Sequence, residues 1–130
     1  MAGVWRLLLA TPDAVPAARH AVREMHELEP PTRQVLELLV SELVTNAVRH
    51  GASDPHESIL VHAARTDGSV RVEVCDEGTG FDARVGSPDA FEPGGRGLLL
   101  VETLASRWGV SNGHPNCVWF EAESDPATLH

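Results

Sequence analysis

The sequence predicts a two-layer α+β domain with helices covering one face of a mixed, mostly antiparallel sheet. Three observations predict it. Apolar residues alternate with period two at residues 4–10, 58–66 and 69–75, and again near the C-terminus. Two consecutive stretches, up to residue 50, carry helical spacing instead. Asp67-Gly68 sits between two of the alternating runs, a strong hairpin signal. The order that results is β-α-α-β-β-loop-α-β-β.

Each element has its own justification. In residues 4–10, Trp5, Leu7 and Leu9 share one side of a strand. Trp5, Trp108 and Trp119 all fall on predicted strands, so core packing is expected for them. Thr11, Pro12 and Asp13 supply capping residues and an early proline, which start a helix. Val15, Ala18, Val22 and Met25 then recur on one face, until Glu29-Pro30-Pro31 stops that helix. A longer helix runs from about residue 32 to residue 50, with Val35, Leu36, Leu39, Leu43, Val44 and Ala47 as its buried stripe and Gly51 to end it. Residues 76–95 are rich in Gly, Pro and Asp and have no periodicity, as expected of a functional or disordered loop. Residues 98–105 are apolar and helical in length. Residues 108–113 and 117–123 read as closing strands, and residues 124–130 as a frayed tail.

Composition narrows the function. The chain has 130 residues, the size of one domain spanning 1–130. Its formal net charge of -9 argues against a nucleic-acid partner, which needs clustered Lys and Arg. The N-terminus has neither a basic start nor a long apolar run, so no signal peptide or membrane span is expected. Cys75 and Cys117 have no metal-ligand spacing and are expected to be free, buried thiols in a reducing cytoplasm. His56, His62 and His114 are isolated, and their spacing suggests no zinc site. His20 is expected on a helix surface.

Three motifs carry chemistry. The first is ELVTNAVRHG, residues 42–51. Glu42 and Asn46 are one helical turn apart and share a face. An amide oxygen such as that of Asn46 suits the hard cation Mg²⁺, and Glu42 could take a proton from an attacking hydroxyl or orient water. Arg49 and His50 follow one turn on and could meet phosphates. The second is VRVEVCDEGTGFD, residues 70–82. Asp76 has the parity of Val70, Val72 and Val74, so it continues an apolar face and needs a partner there. An adenine amino group would satisfy it, and Gly78 and Gly80 allow close ligand approach. The third is GGRGLLLVE, residues 94–102. Glycines before a helix start expose backbone N–H groups to anions, and Arg96 could add a charge-assisted phosphate contact. Alone, each has an ordinary reading: an amphipathic helix with a polar edge, a strand ending in a turn, a linker before a helix. In this order, with a long loop between the last two, they point together to a nucleotide site.

Over essentially the whole chain, these residues resemble the GHKL superfamily of gyrase, ATP-driven chaperones, histidine kinases and MutL. Residues 42–46 resemble its N box, Asp76, Gly78 and Gly80 its first glycine box, and Gly95 and Gly97 its second. SELVTNAVRHG and GGRGLLLVE are especially similar to the anti-sigma-factor-like regulators of actinobacteria. The resemblance implies a Bergerat fold with bound ATP and Mg²⁺. It implies Asn46 as the magnesium ligand, Asp76 as the adenine reader, Glu42 as the base and residues 82–96 as a lid. Gly95, Arg96, Gly97 and Leu98 would border the phosphates. It further implies a serine/threonine kinase acting on a STAS-type anti-anti-sigma partner, able to bind a sigma factor and to form a homodimer. The alternative is a non-catalytic, ATP-dependent protein-binding module. Two departures bear on the choice: Leu99 occupies the third glycine position of the second box, and a threonine common on the closing strand is replaced near Cys117.

Overall fold

The computed structural model describes residues 3–25, 28–51, 56–77, 96–111 and 115–123, with the side chains of residues 50, 51 and 96–99 left aside. Five strands form one sheet: β1 (Gly3–Leu9), β2 (Ser58–Thr66), β3 (Ser69–Asp76), β4 (Arg107–Ser111) and β5 (Asn116–Glu123), in the order β1-β2-β3-β5-β4. Among the described residues, three α-helices accompany them: α1 (Ala14–Arg23), α2 (Pro30–Asn46) and α3 (Arg96–Leu104). All four strand pairings are antiparallel, which resolves the expected mixed sheet into a purely antiparallel one.

The core forms between the helices and one face of the sheet. Val70, Val72 and Val74 of β3 and Val118, Phe120 and Ala122 of β5 point into it, meeting Leu36, Leu39, Val40, Leu43 and Val44 of α2. Ala14, Ala18, Ala21 and Val22 of α1 are buried too, and their small size lets α1 and α2 lie close. Gly68, at φ +71°, closes the two-residue turn between β2 and β3 as the Asp-Gly signal required.

Four expectations change. Helix α2 begins at Pro30, not at residue 32. Pro30 and Pro31 stand in its first turn, where a missing N–H leaves no bond unmade. Val40 belongs to its buried stripe, whereas Val35 is only half-buried. The α-helical pattern also ends early, at Asn46, and Ala47–Gly51 continues as a π-helical turn. Two hydroxyls bond backward along the same stretch, Ser41 Oγ to the Glu37 carbonyl (2.6 Å) and Thr45 Oγ1 to the Ser41 carbonyl (2.7 Å). Such bonds compete with the helical ladder ahead of the π turn.

The fourth change concerns β1. Trp5, Leu7 and Leu9 do share a face, but it is the face away from the helices, and they are 57%, 71% and 58% exposed. Val4 and Leu8 are the β1 residues packed on the core. The tryptophans divide accordingly. Trp108 is half-buried against the core, and its indole N–H donates to Glu102. Trp5 stacks on His62. Trp119 lies on the open face, 4.0 Å beneath the Arg71 guanidinium. Its ring crosses Gly109 of the neighbouring strand so closely that a Cβ there would sit 2.8 Å from it. Glu121 takes ion pairs from Arg71 and Arg107 beside it. On the outer helix surface, the hydrogen bond and charge of Glu37 raise the Arg23 pKa.

Candidate functional site

Core packing seats α2 on the sheet, and one side-chain bond ties its first turn to the end of β5. Thr32 Oγ1 donates to the carbonyl of Glu123, the last residue of β5 (3.0 Å). Glu123 in turn faces Ser69, the first residue of β3. From that anchor α2 crosses β3 and β5, touching both. Its 17 residues span about 26 Å, and the eight of β5 about 27 Å. The C-terminal end of α2 therefore arrives over the opposite end of the two strands. There the register sets Asp76 against Asn116, and the π turn touches β3.

Parts of the first two sequence motifs, residues 42–49 and Asp76, come together at this end. Asn46 is buried at 8% exposure, and its Oδ1 accepts no hydrogen bond from any described residue. A buried amide oxygen left this way costs about 1–3 kcal/mol, so its retention asks for an explanation. An unpartnered amide oxygen fits a hard cation such as Mg²⁺. Glu42, one turn earlier on the same face, is half-buried. Arg49 is exposed on the π turn. An i→i+5 turn often appears where a helix is bent to function, and here it follows Asn46 directly. Asp76 is half-buried and continues the inward face of β3, as its parity predicted.

Asn116 was not legible as a site residue. It is buried at 5% and shares its inward parity with Val118, Phe120 and Ala122. The register thus places a carboxylate and an amide side by side on the helix-facing side of the sheet. Cys117, expected near a threonine position of the family's site, points to the opposite face instead. Gly78, Gly80, Gly95 and the lid at residues 82–96 up to residue 95 lie outside the described residues, as does the tail at 124–130. Arg96, Gly97, Leu98 and Leu99 are described as helical backbone in the first turn of α3. His50 is described as backbone of the π turn.

The expectation of free thiols is overturned. Cys75 and Cys117 form a disulfide between β3 and β5, with Cα atoms 4.1 Å apart. The two residues lie 42 apart in sequence but directly opposite in register. They are the pair next to Asp76 and Asn116, on the open face of the sheet. A groove of about 280 Å³ lies at the other end of α2, lined by Pro31, Thr32, Val35 and Leu104 among others. Its position by Thr32 separates it from the Asn46 and Asp76 end. No helix among the described residues is long and apolar enough to cross a membrane.

Comparison with known proteins agrees with this fold. The chain is similar to the histidine kinase domain of the blue-light-activated histidine kinase EL346 of Erythrobacter litoralis, with a TM-score of 0.63 and 24% identity, over 86% of this chain and 58% of that one. Against a second structure of that kinase the TM-score is 0.65 at 23% identity, over 91% and 42%. The histidine kinase AdeS of Acinetobacter baumannii gives 0.54 at 16% identity, over 93% and 68%. The chain thus spans about half the length of the two Erythrobacter chains. No curated protein matches it. The sequence profile of the histidine kinase-like ATPase domain matches residues 8–121. Fold, motif order and profile together make this chain a member of the histidine kinase-like ATPase domain family, within the GHKL superfamily.

Proposed function

We propose that the chain binds ATP with Mg²⁺ and acts as a protein serine/threonine kinase in an anti-sigma circuit. A serine of a STAS-type partner would be its acceptor and a sigma factor its other ligand. The observation that supports this most is the buried Asn46 Oδ1, unpartnered among the described residues and one turn from Glu42, on a helix end that arrives over the Asp76 end of β3. In this reading Asn46 holds the metal and Asp76 accepts a hydrogen bond from the adenine amino group. Arg49, His50, Arg96 and the backbone at Gly95, Gly97 and Leu98 border the phosphates, beside Gly78 and Gly80. Glu42 takes the proton from the incoming serine hydroxyl. Bound Mg²⁺ supplies neutralisation of the phosphate charge. The remaining work is positioning. A cytoplasmic location goes with this reading. So does a homodimer, for which the exposed row of Trp5, Leu7 and Leu9 offers an apolar surface.

Calorimetric titration of ATP, with and without Mg²⁺, tests the site. Binding that depends on magnesium and disappears in Asp76→Ala is expected, and no binding to the wild-type chain would sink the proposal. Leu99, in place of the usual third glycine, favours a second reading: a module that binds ATP to order a protein-binding surface without phosphotransfer. Glu42→Ala separates the two. Under the kinase reading it abolishes phosphate transfer from labelled ATP to the partner and leaves ATP affinity nearly unchanged. Under the second reading it leaves signalling intact.

A further inference from the structure

The geometry points to a reversible redox site at Cys75 and Cys117 that sets the affinity of the neighbouring nucleotide site, an inference resting on the proposal that Asp76 reads the adenine. Three observations support it. First, the bond is not what joins the two strands. The β3–β5 ladder runs from Ser69 opposite Glu123 to Asp76 opposite Asn116, and neither cysteine belongs to the core cluster. Second, the pair lies on the open face of the sheet, where Cys75 is 6% exposed and Cys117 half-buried. A reductant meets Cys117 first. Third, the pair is one register step from Asp76 and Asn116, the last step before the ladder ends. A covalent link there fixes the spacing of the two inward-facing polar side chains. Without it, the strand ends must be ordered when ligand binds, which weakens affinity.

The chemistry is thiol–disulfide exchange with a dithiol, small or protein-borne. A thiolate of the dithiol attacks Cys117 Sγ, the Cys75–Cys117 bond breaks, and Cys75 leaves as a thiolate that takes up a proton. The second thiol of the reductant then displaces Cys117, which is protonated in turn. The reductant departs as a disulfide, and two electrons and two protons have passed to the chain. Oxidation by a disulfide runs the same steps backward. Glu73 lies with both sulfurs, the ligand atoms within 4.8 Å of one another, so the reduced pair also presents a donor set for a thiophilic metal. Metal-stripped buffer containing only Mg²⁺ removes that contribution from the test.

The test titrates Mg²⁺ and ATP into the oxidised protein, into protein held reduced by dithiothreitol, and into Cys75→Ser/Cys117→Ser. Maleimide mass labelling without denaturant counts thiols, and circular dichroism checks that each form is folded. Two labels after dithiothreitol treatment of folded protein are expected. Reduction should raise the Kd for ATP by about fivefold or more, the lower end of ordinary site-to-site coupling. Reoxidation with oxidised glutathione should restore the tight form, and the double-serine variant should bind weakly whatever the reductant. Equal affinity of both forms overturns the linkage alone. Labelling that requires denaturant overturns the redox site. ATP binding to neither form removes the nucleotide reading itself, and with it the linkage.

Discussion

The two ends of α2 are built from the same kind of helix and obey opposite rules. At the first turn, two prolines occupy positions that need no N–H, and Thr32 sends its hydroxyl to Glu123, 91 residues away. That buried polar side chain has its partner, and the neighbouring groove is apolar. At the last turn, the helical pattern changes to a π turn, a buried amide oxygen has no partner among the described residues, and a carboxylate and a second amide lie side by side in the strand register below. One end satisfies its own chemistry. The other leaves chemistry open. Local rules tend to be broken where a protein meets something else.

The comparison can be broken or sharpened by experiment. The largest stability effect is expected from the disulfide, which acts on the unfolded chain. By the chain-entropy account, closing a loop across a separation of 42 residues contributes about 4 kcal/mol. Urea unfolding of the oxidised and reduced protein should show that difference with similar slopes. A difference near zero would mean that the reduced unfolded chain stays compact. Next in size is Asn46→Leu. It removes the orphaned acceptor while keeping volume, so the fold should gain about 1 kcal/mol as Mg²⁺-dependent ATP binding is lost. Loss of stability instead would show that Asn46 is a structural residue like Thr32. The narrowest effect, on stability alone, belongs to the other end. Thr32→Val deletes the bond to Glu123 and should cost about 1 kcal/mol, with ATP affinity unchanged in the same calorimetric assay. A large change in affinity there would mean that the two ends are not separate.

Much of this arrangement could be read from the sequence, for physical reasons that differ by element. Alternation located the strands, and Asp67-Gly68 located the hairpin, because both signals are local. Asp76 was placed correctly on the inward face because parity along one strand is also local. Asn116 and the Cys75–Cys117 bond could not be read, because both depend on the register of β3 against β5, which no short stretch of sequence encodes. Trp5, Leu7 and Leu9 misled for a related reason. A period of two separates two faces but does not say which one the helices cover. The π turn at Ala47–Gly51 arises inside a run with good helical spacing, and its backward hydroxyl bonds became visible only with the side chains in place.

The contact between Gly109 and Trp119 has a consequence for the history of such a chain. With the indole lying across it, position 109 accepts no side chain unless the ring moves. The ring is in turn held beneath Arg71, in a strand paired on both sides. The two positions are therefore not free to drift independently. A lineage that replaces the glycine must also swing the indole off Arg71 or exchange the tryptophan for something smaller.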